Sequence, residues 1–359
     1  MGKDTKLRPD FYSFLALFIG IGIALLFAEG IIRSSSLSKT WNGKQQEQLH
    51  HEIIKKYIIN YDAIGYTFQP NVSFNFIRGE HYQINDEGFR DKPFSILKKK
   101  KRVAIIGDSV IEGFGVEKQD RISDIVAKSF PNMELFNFGM GGYSTFDAFH
   151  ILKQKVSRYQ PEILLIQVCH NDLEHNFNIN QALADTDSLK IKASLENPSE
   201  HEESTKTSFW KDFLRNNSAL YLFLAERYQY NKLQHNQPNP LLEEILQTNP
   251  HHWTVSTEIW KQMISYCNQQ NIKPVFIYIP YECEIQITDD SLGNYFTDRM
   301  MSFCQKESVA FVDVTKELRQ FRRSGELYFD HCHLDVSGNK IVAKKVSGFF
   351  INSYPWIIR

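Results

Sequence analysis

Five short apolar runs recur along the chain, at 103–106, 135–138, 163–168, 275–279 and 310–314. They are nearly continuous rather than alternating, the pattern of strands buried on both faces of a parallel sheet. Segments with helical spacing separate them. Phe149, Leu152 and Val156 share one face within 145–158, with Thr145 as a candidate cap. Val342, Val346 and Phe349 do so within 335–350, where Asp335 is the candidate cap. Strand–helix alternation of this kind predicts an α/β fold in three layers. Ligands in such sheets bind beyond the carboxyl ends of the strands, so the loops that follow the runs are where chemistry is expected.

Other parts of the chain depart from the alternation. Residues 11–28 carry no charge, and a helix of that length covers about 27 Å, close to the ~30 Å of a bilayer core. The run is long for a cleaved signal and apolar on every face, which favours a single membrane anchor. Ala28-Glu29-Gly30 is nevertheless a passable cleavage site. Lys3, Lys6 and Arg8 precede the run, so the positive-inside rule predicts a cytoplasmic N-terminus and an extracytoplasmic (periplasmic) body. The basic run Lys98 to Arg102 argues the other way if it meets anionic lipid, and reads otherwise as a solvated loop before a strand.

Residues 34–60 suggest a helical stalk. Val72, Phe74 and Phe76, then Tyr82 and Ile84, alternate with polar residues around Arg78-Gly79-Glu80, which predicts a β-hairpin. The expected organisation is an anchor or signal segment at 1–33, a neck with a hairpin at 34–101, and an α/β domain at 102–353. Residues at about 175–250 form an insertion in that domain. It holds the polar run 199–204, an apolar segment at 220–225, and the aromatics Phe209, Trp210, Tyr221 and Phe223, which either line an acyl pocket or pack the insertion.

Composition excludes more than it selects. Lys and Arg number 41 against 42 Asp and Glu, so no basic field exists to hold a nucleic-acid backbone. The negative mean hydropathy excludes a many-helix membrane protein but not a single span. Five cysteines without a CxxC pair do not make a disulfide scaffold.

Four strand-end segments carry reactive groups. The first strand ends in Gly107-Asp108-Ser109, which places a hydroxyl at the functional edge or forms an ordinary turn. The second ends in Asn137-Phe138-Gly139-Met140-Gly141-Gly142, a loop able to offer bare backbone N–H groups. It lacks the GxGxxG of a dinucleotide site. The third ends in Cys169-His170-Asn171-Asp172, where an Asn amide can donate to a developing oxyanion. The last is Asp330-His331-Cys332-His333, in which a carboxylate three residues before a His can orient it as a general base. Together they supply nucleophile, base, orienter and oxyanion donors.

In that order the four segments resemble the blocks of the SGNH (GDSL) hydrolase superfamily, over roughly 102–350. The stretch Ile84 to Asp91 is similar to its membrane-anchored bacterial members. The resemblance implies a flavodoxin-like sheet and ester hydrolysis with no metal or other cofactor. It implies Ser109 as nucleophile, His333 as base and Asp330 as its helper. It implies an oxyanion hole made by the backbone N–H groups of Ser109 and Gly142 and the side chain of Asn171. Gly139 and Gly141 compete with Gly142, whose distance from Asn137 fits the block best. The chain departs from the pattern at Cys169, where the third block usually has Gly.

An acyl ester of an envelope glycan or lipid is the expected substrate, on the ground of the tether. Three alternatives remain. An O-acyltransferase would use the same Ser-His-Asp site. A non-catalytic envelope binding or assembly protein would keep only the fold. A metal hydrolase would use Cys169, His170, His175, His331 and Cys332, whose spacing follows no usual zinc pattern.

Overall fold

The computed structural model describes residues 11–35, 39–60, 65–176, 213–214, 217–233, 250–286, 295–321 and 327–358. The polar run 199–204, Phe209 and Trp210 lie outside them. The chain divides into two compact units, one of 52–198 with 238–359, the other of 1–51 with 199–237.

The larger unit is built on five parallel strands: β5 (Lys101–Gly107), β6 (Met133–Gly139), β7 (Ile163–Val168), β8 (Lys273–Tyr278) and β9 (Ala310–Asp313). Their order across the sheet is β6-β5-β7-β8-β9, with every neighbouring pair parallel. This is the flavodoxin-like order, and its direction switches between β5 and β7, the place where ligands bind in such sheets.

Alternation along the strands feeds two cores. Ala104, Ile106, Phe136, Phe138 and Ile166 face one side. There they meet Phe149 and Leu152, then Trp260 of helix Pro250–Gln269 and Met300 of helix Tyr295–Lys306. Val103, Ile105, Leu135 and Leu165 face the other side and pack on Val126 of helix Ile122–Ser129 and on Val342, Val346 and Phe350 of helix Val336–Ser353. Burial on both faces explains the unbroken apolar runs, since each fully buried large side chain contributes about 1.5–3 kcal/mol.

Two local expectations change. Asp335 caps its helix by accepting from the N–H of Gly338 at 2.7 Å. The other helix is capped by Ser144 rather than Thr145, in a reciprocal capping box with Asp147. The Thr145 hydroxyl instead accepts from Asn176 at 2.7 Å and from the indole of Trp260 at 3.0 Å. The basic run is not uniformly solvated. Arg102 is buried and donates to the carbonyls of Ser95, Leu97 and Tyr159 and to Glu134, because β5 carries it inside the fold. Lys98 and Lys101 both pair with Glu162.

Ahead of the sheet run four short strands: β1 (Ile58–Asn60) with β2 (Tyr66–Phe68), and β3 (Ser73–Asn75) with β4 (His81–Gln83), each pair antiparallel. Their inner side chains, Phe68, Phe74 and Tyr82, belong to the same core cluster as Phe136 and Phe138.

In the smaller unit, helix Phe11–Ser34 contains the stretch Phe14–Ser34, long and apolar enough to cross a membrane and almost wholly uncovered by protein. Glu29 near its end accepts from the backbone N–H groups of Ala219 and Leu220, both at 2.9 Å, and from the hydroxyl of Ser218 at 2.8 Å. A carboxylate thus covers orphan donors at the start of helix Ala219–Leu233, which carries Tyr221 and Phe223.

Candidate active site

Ser109 opens a four-residue helix, Ser109–Glu112, directly after β5. The Asp108 side chain caps it by accepting from the Val110 N–H at 2.8 Å. The Asp108 N–H donates to Gln167 of β7 at 2.9 Å, which fixes the turn to the neighbouring strand. Gly139, at the end of β6, lies so close to this helix that a Cβ would sit 2.4 Å from the Glu112 nitrogen. Asn137 completes the brace by donating to the Ile111 carbonyl at 2.7 Å and to the Ser123 hydroxyl at 2.8 Å.

His333 comes from the loop before helix Val336–Ser353, and its Nε2 lies 2.7 Å from the Ser109 hydroxyl oxygen. Its Nδ1 lies 2.6 Å from Asp330 Oδ2. The other Asp330 oxygen accepts from the N–H groups of His333 at 2.7 Å and Cys332 at 2.9 Å. An acceptor-only carboxylate at Nδ1 assigns the proton to that nitrogen and leaves Nε2 to accept from the Ser109 O–H. Burial would raise the Asp330 carboxyl, but the hydrogen bond and charge of His333 and the two backbone donors outweigh it and bring it down to about 2. The order of bonds, hydroxyl to imidazole to carboxylate, can move a proton off the hydroxyl as it attacks an electrophile.

The ring of His333 lies nearly parallel to two aromatic rings, Phe114 with centroids 4.2 Å apart and Phe329 at 5.6 Å. These two were not singled out by sequence. Phe114 is five residues beyond Ser109, and a lone aromatic in a turn carries no pattern.

Gly142 and Asn171 reach the same end of the sheet. Gly142 is exposed and has φ +82°, a conformation that favours glycine. Gly139 is buried against the Ser109 helix, and the N–H of Gly141 is already donated to Glu112 at 2.6 Å. Neither competes well with Gly142 as a donor. Asn171 follows β7, and its side-chain carbonyl accepts from the Cys169 thiol, which also lies 3.0 Å from Asp108 Oδ2. With the carbonyl so held, the Asn171 amide nitrogen remains as a donor. Cys169 is therefore buried under the loop, where it steadies Asn171. Asp172 is buried and accepts from the N–H groups of Thr145 at 2.6 Å and Cys169 at 2.8 Å. Burial pushes its carboxyl up to about 8.

Of the remaining candidates, Cys332 lies beside the triad, its thiol 3.5 Å from His333 Nδ1. His170 and His331 pack edge-on against Tyr281, with centroids 6.3 Å and 5.8 Å away. All five cysteines are free, so Cys169 and Cys332 are not bonded to each other. Burial raises both thiols. Cys169, His170, His175, His331 and Cys332 are not gathered into one ligand cluster. Among the described residues, Asp330, Cys332 and His333 are the group with ligand atoms within 4.8 Å of one another.

Several solved structures are similar. A lipolytic protein of the G-D-S-L family from Veillonella parvula has 10% identity and TM-score 0.41, covering 70% of this chain and 99% of that one. A putative lipolytic protein of the same family from Desulfitobacterium hafniense has 14% identity and TM-score 0.40, covering 69% and 99%. The acetyl xylan esterase AlAXEase has 15% identity and TM-score 0.41, covering 69% and 98%. No curated protein sequence matches the chain. The profile of the GDSL-like lipase/acylhydrolase family matches residues 105–341, well over half of the chain, and the protein belongs to that family of ester-cleaving serine hydrolases.

Proposed function

We propose that Ser109 is the nucleophile of this hydrolase, His333 its general base and Asp330 the group that orients the base. The observation that carries the reading is the continuous pair of hydrogen bonds from Ser109 through His333 to Asp330. His333 Nε2 takes the hydroxyl proton as Ser109 Oγ attacks the ester carbonyl. Asp330, held ionised, stabilises the imidazolium that forms. The tetrahedral oxyanion is met by the backbone N–H groups of Ser109 and Gly142 and by the Asn171 amide. His333 returns the proton to the departing alcohol, and water activated by the same His333 then releases the acyl group.

The substrate is an acyl ester of a cell-envelope glycan or lipid. This rests on the apolar helix Phe14–Ser34, which would tether the body to the membrane, and on the basic residues ahead of it, which favour a body on the extracytoplasmic side. The decisive experiment is activity-based labelling of the full chain with a serine-directed phosphonate, read beside a panel of acyl esters. Ser109→Ala is expected to abolish labelling and turnover together. Undiminished labelling of that variant rejects Ser109. Protease protection in intact cells tests the orientation, and a body shielded by the cytoplasmic membrane overturns it.

A further inference from the structure

The stretch ahead of the sheet reaches into the site through two tyrosines, Tyr66 and Tyr82, and meets there a buried carboxylate, Glu112, that the proposed mechanism leaves unused. Glu112 lies one helical turn beyond Ser109 and is buried. Its Oε2 accepts from the N–H of Gly141 at 2.6 Å, and its Oε1 accepts from the hydroxyl of Tyr82, on β4, at 2.8 Å. Tyr66, on β2, donates its hydroxyl to the carbonyl of the same Gly141 at 3.1 Å. In turn the hydroxyl of Tyr143 donates to the Tyr66 backbone carbonyl, and the two tyrosine rings meet edge-on with centroids 4.9 Å apart.

Gly141 is thus held at both ends, its N–H by Glu112 and its carbonyl by Tyr66. That carbonyl belongs to the same peptide plane as the N–H of Gly142. The peptide is trans, so the two groups point in opposite directions and fixing one fixes the other. Glycine neighbours cannot do this alone, because Gly141 and Gly142 lack the side chains that would restrict their dihedrals. The loop also lies against the nucleophile, since a Cβ on Gly141 would stand 3.8 Å from that of Ser109.

We propose that Tyr66 and the Tyr82–Glu112 pair are positioning residues that aim the Gly142 N–H at the developing oxyanion. The segment ahead of the sheet then contributes to catalysis and does not merely connect the sheet to the N-terminal helix. The inference rests on the reading of Gly142 as an oxyanion donor. Charged and titratable groups face Glu112 from several elements. Arg90 lies over the Tyr82 ring with 3.7 Å between guanidinium carbon and centroid, and His333 also acts on Glu112 electrostatically. Burial raises the carboxyl of Glu112, a rise that the Gly141 N–H, Tyr82 and Arg90 offset only in part. Both carboxylate oxygens receive donors, as an ionised group would.

The test is steady-state kinetics on the full-length protein with a chromogenic acetyl ester, with thermal melting measured on each variant. Tyr66→Phe deletes one oxygen and keeps the ring. It is expected to lower kcat by about 10–100-fold with KM within about threefold and melting unchanged, the signature of a misaimed donor. Glu112→Gln is expected to lower kcat further, because an amide must turn its NH2 towards one of two donors. Tyr82→Phe leaves the Gly141 bond in place and should have the smallest effect of the three. If Glu112→Gln fails to fold, Tyr66→Phe decides. Wild-type kcat in Tyr66→Phe beside an inactive Ser109→Ala overturns the positioning role and leaves the nucleophile standing. A rise in KM alone, or a fall in kcat matched by a fall in melting temperature, also overturns it. Full activity of Ser109→Ala overturns the catalytic reading itself.

Discussion

The two sides of the candidate site are held in different ways. On the His333 side, Asp330 and His333 are three residues apart, and one loop supplies both. Their geometry is nearly self-contained, since the carboxylate binds the ring and the backbone N–H groups of that same loop. On the oxyanion side, Gly141 depends on Glu112 and Tyr66, both far along the chain. Asn171 is met by Cys169, two residues away, whose thiol lies in turn against the distant Asp108. A proton relay needs a few strong contacts between charged or ionisable groups. An oxyanion hole needs backbone and amide donors aimed at an empty point, and only surrounding packing can aim them. The Asp330–His333 pair can therefore be encoded in a short motif, whereas the grip on Gly141 has to be assembled from distant parts of the chain.

That contrast yields ordered expectations. The largest effect belongs to the relay. Ser109→Ala and His333→Ala should each lower kcat by roughly 10⁵–10⁶-fold, and the double variant should be no worse than either, since the residues act as a unit. A double variant far below both singles would break the picture of one relay. Asp330→Asn should cost roughly 10⁴-fold, because the amide presents a donor to Nδ1 and disfavours the required tautomer. Next comes Asn171→Ala, with about a 10²–10³-fold loss of kcat at similar KM. A loss appearing only in KM would make Asn171 a substrate contact instead. Cys169→Ala should cost less, about 3–10-fold, because the donor remains and only its support is removed. If Cys169→Ala matched Asn171→Ala, the thiol would be doing more than steadying the amide.

The smallest expected effect is on stability. The Asp330 carboxyl is brought down from 3.8 to about 2 in the folded protein. A depressed carboxyl favours the folded state fully above its unfolded value, and that contribution is lost as pH falls towards 2. The group is a third exposed, so solvent screening keeps the effect small. Between pH 4 and pH 2 the wild type should therefore lose slightly more melting temperature than Asp330→Asn. Equal losses in the two proteins would remove the link between the carboxylate and the fold.

Much of this was legible in the amino-acid order. The five apolar runs fall within or overlap the five parallel strands, because burial on both faces leaves no room for alternation. Asp335 caps its helix because the unpaired N–H groups of a helix start need a side-chain acceptor. Thr145 was displaced as a cap by Ser144, one residue earlier. Local spacing cannot choose between adjacent hydroxyls when one of them has a tertiary partner, here Asn176 and Trp260. Arg102 looked solvated from its basic neighbours, and only the carbonyls gathered around it in the fold account for its burial.

By itself the sequence determined the layered sheet, the apolar N-terminal helix and the reactive types, three of them after strands and the fourth in the loop before helix Val336–Ser353, because periodicity and motif spacing are local properties of the chain. Tertiary structure alone decided what those groups can reach. It set the 2.7 Å approach of His333 to a serine 224 residues away, the approach of the Cys169 thiol to Asp108, and the grip of Tyr66 and Glu112 on Gly141. The physical reason is distance in sequence: a hydrogen bond leaves a mark on local pattern only when its partners are close along the chain.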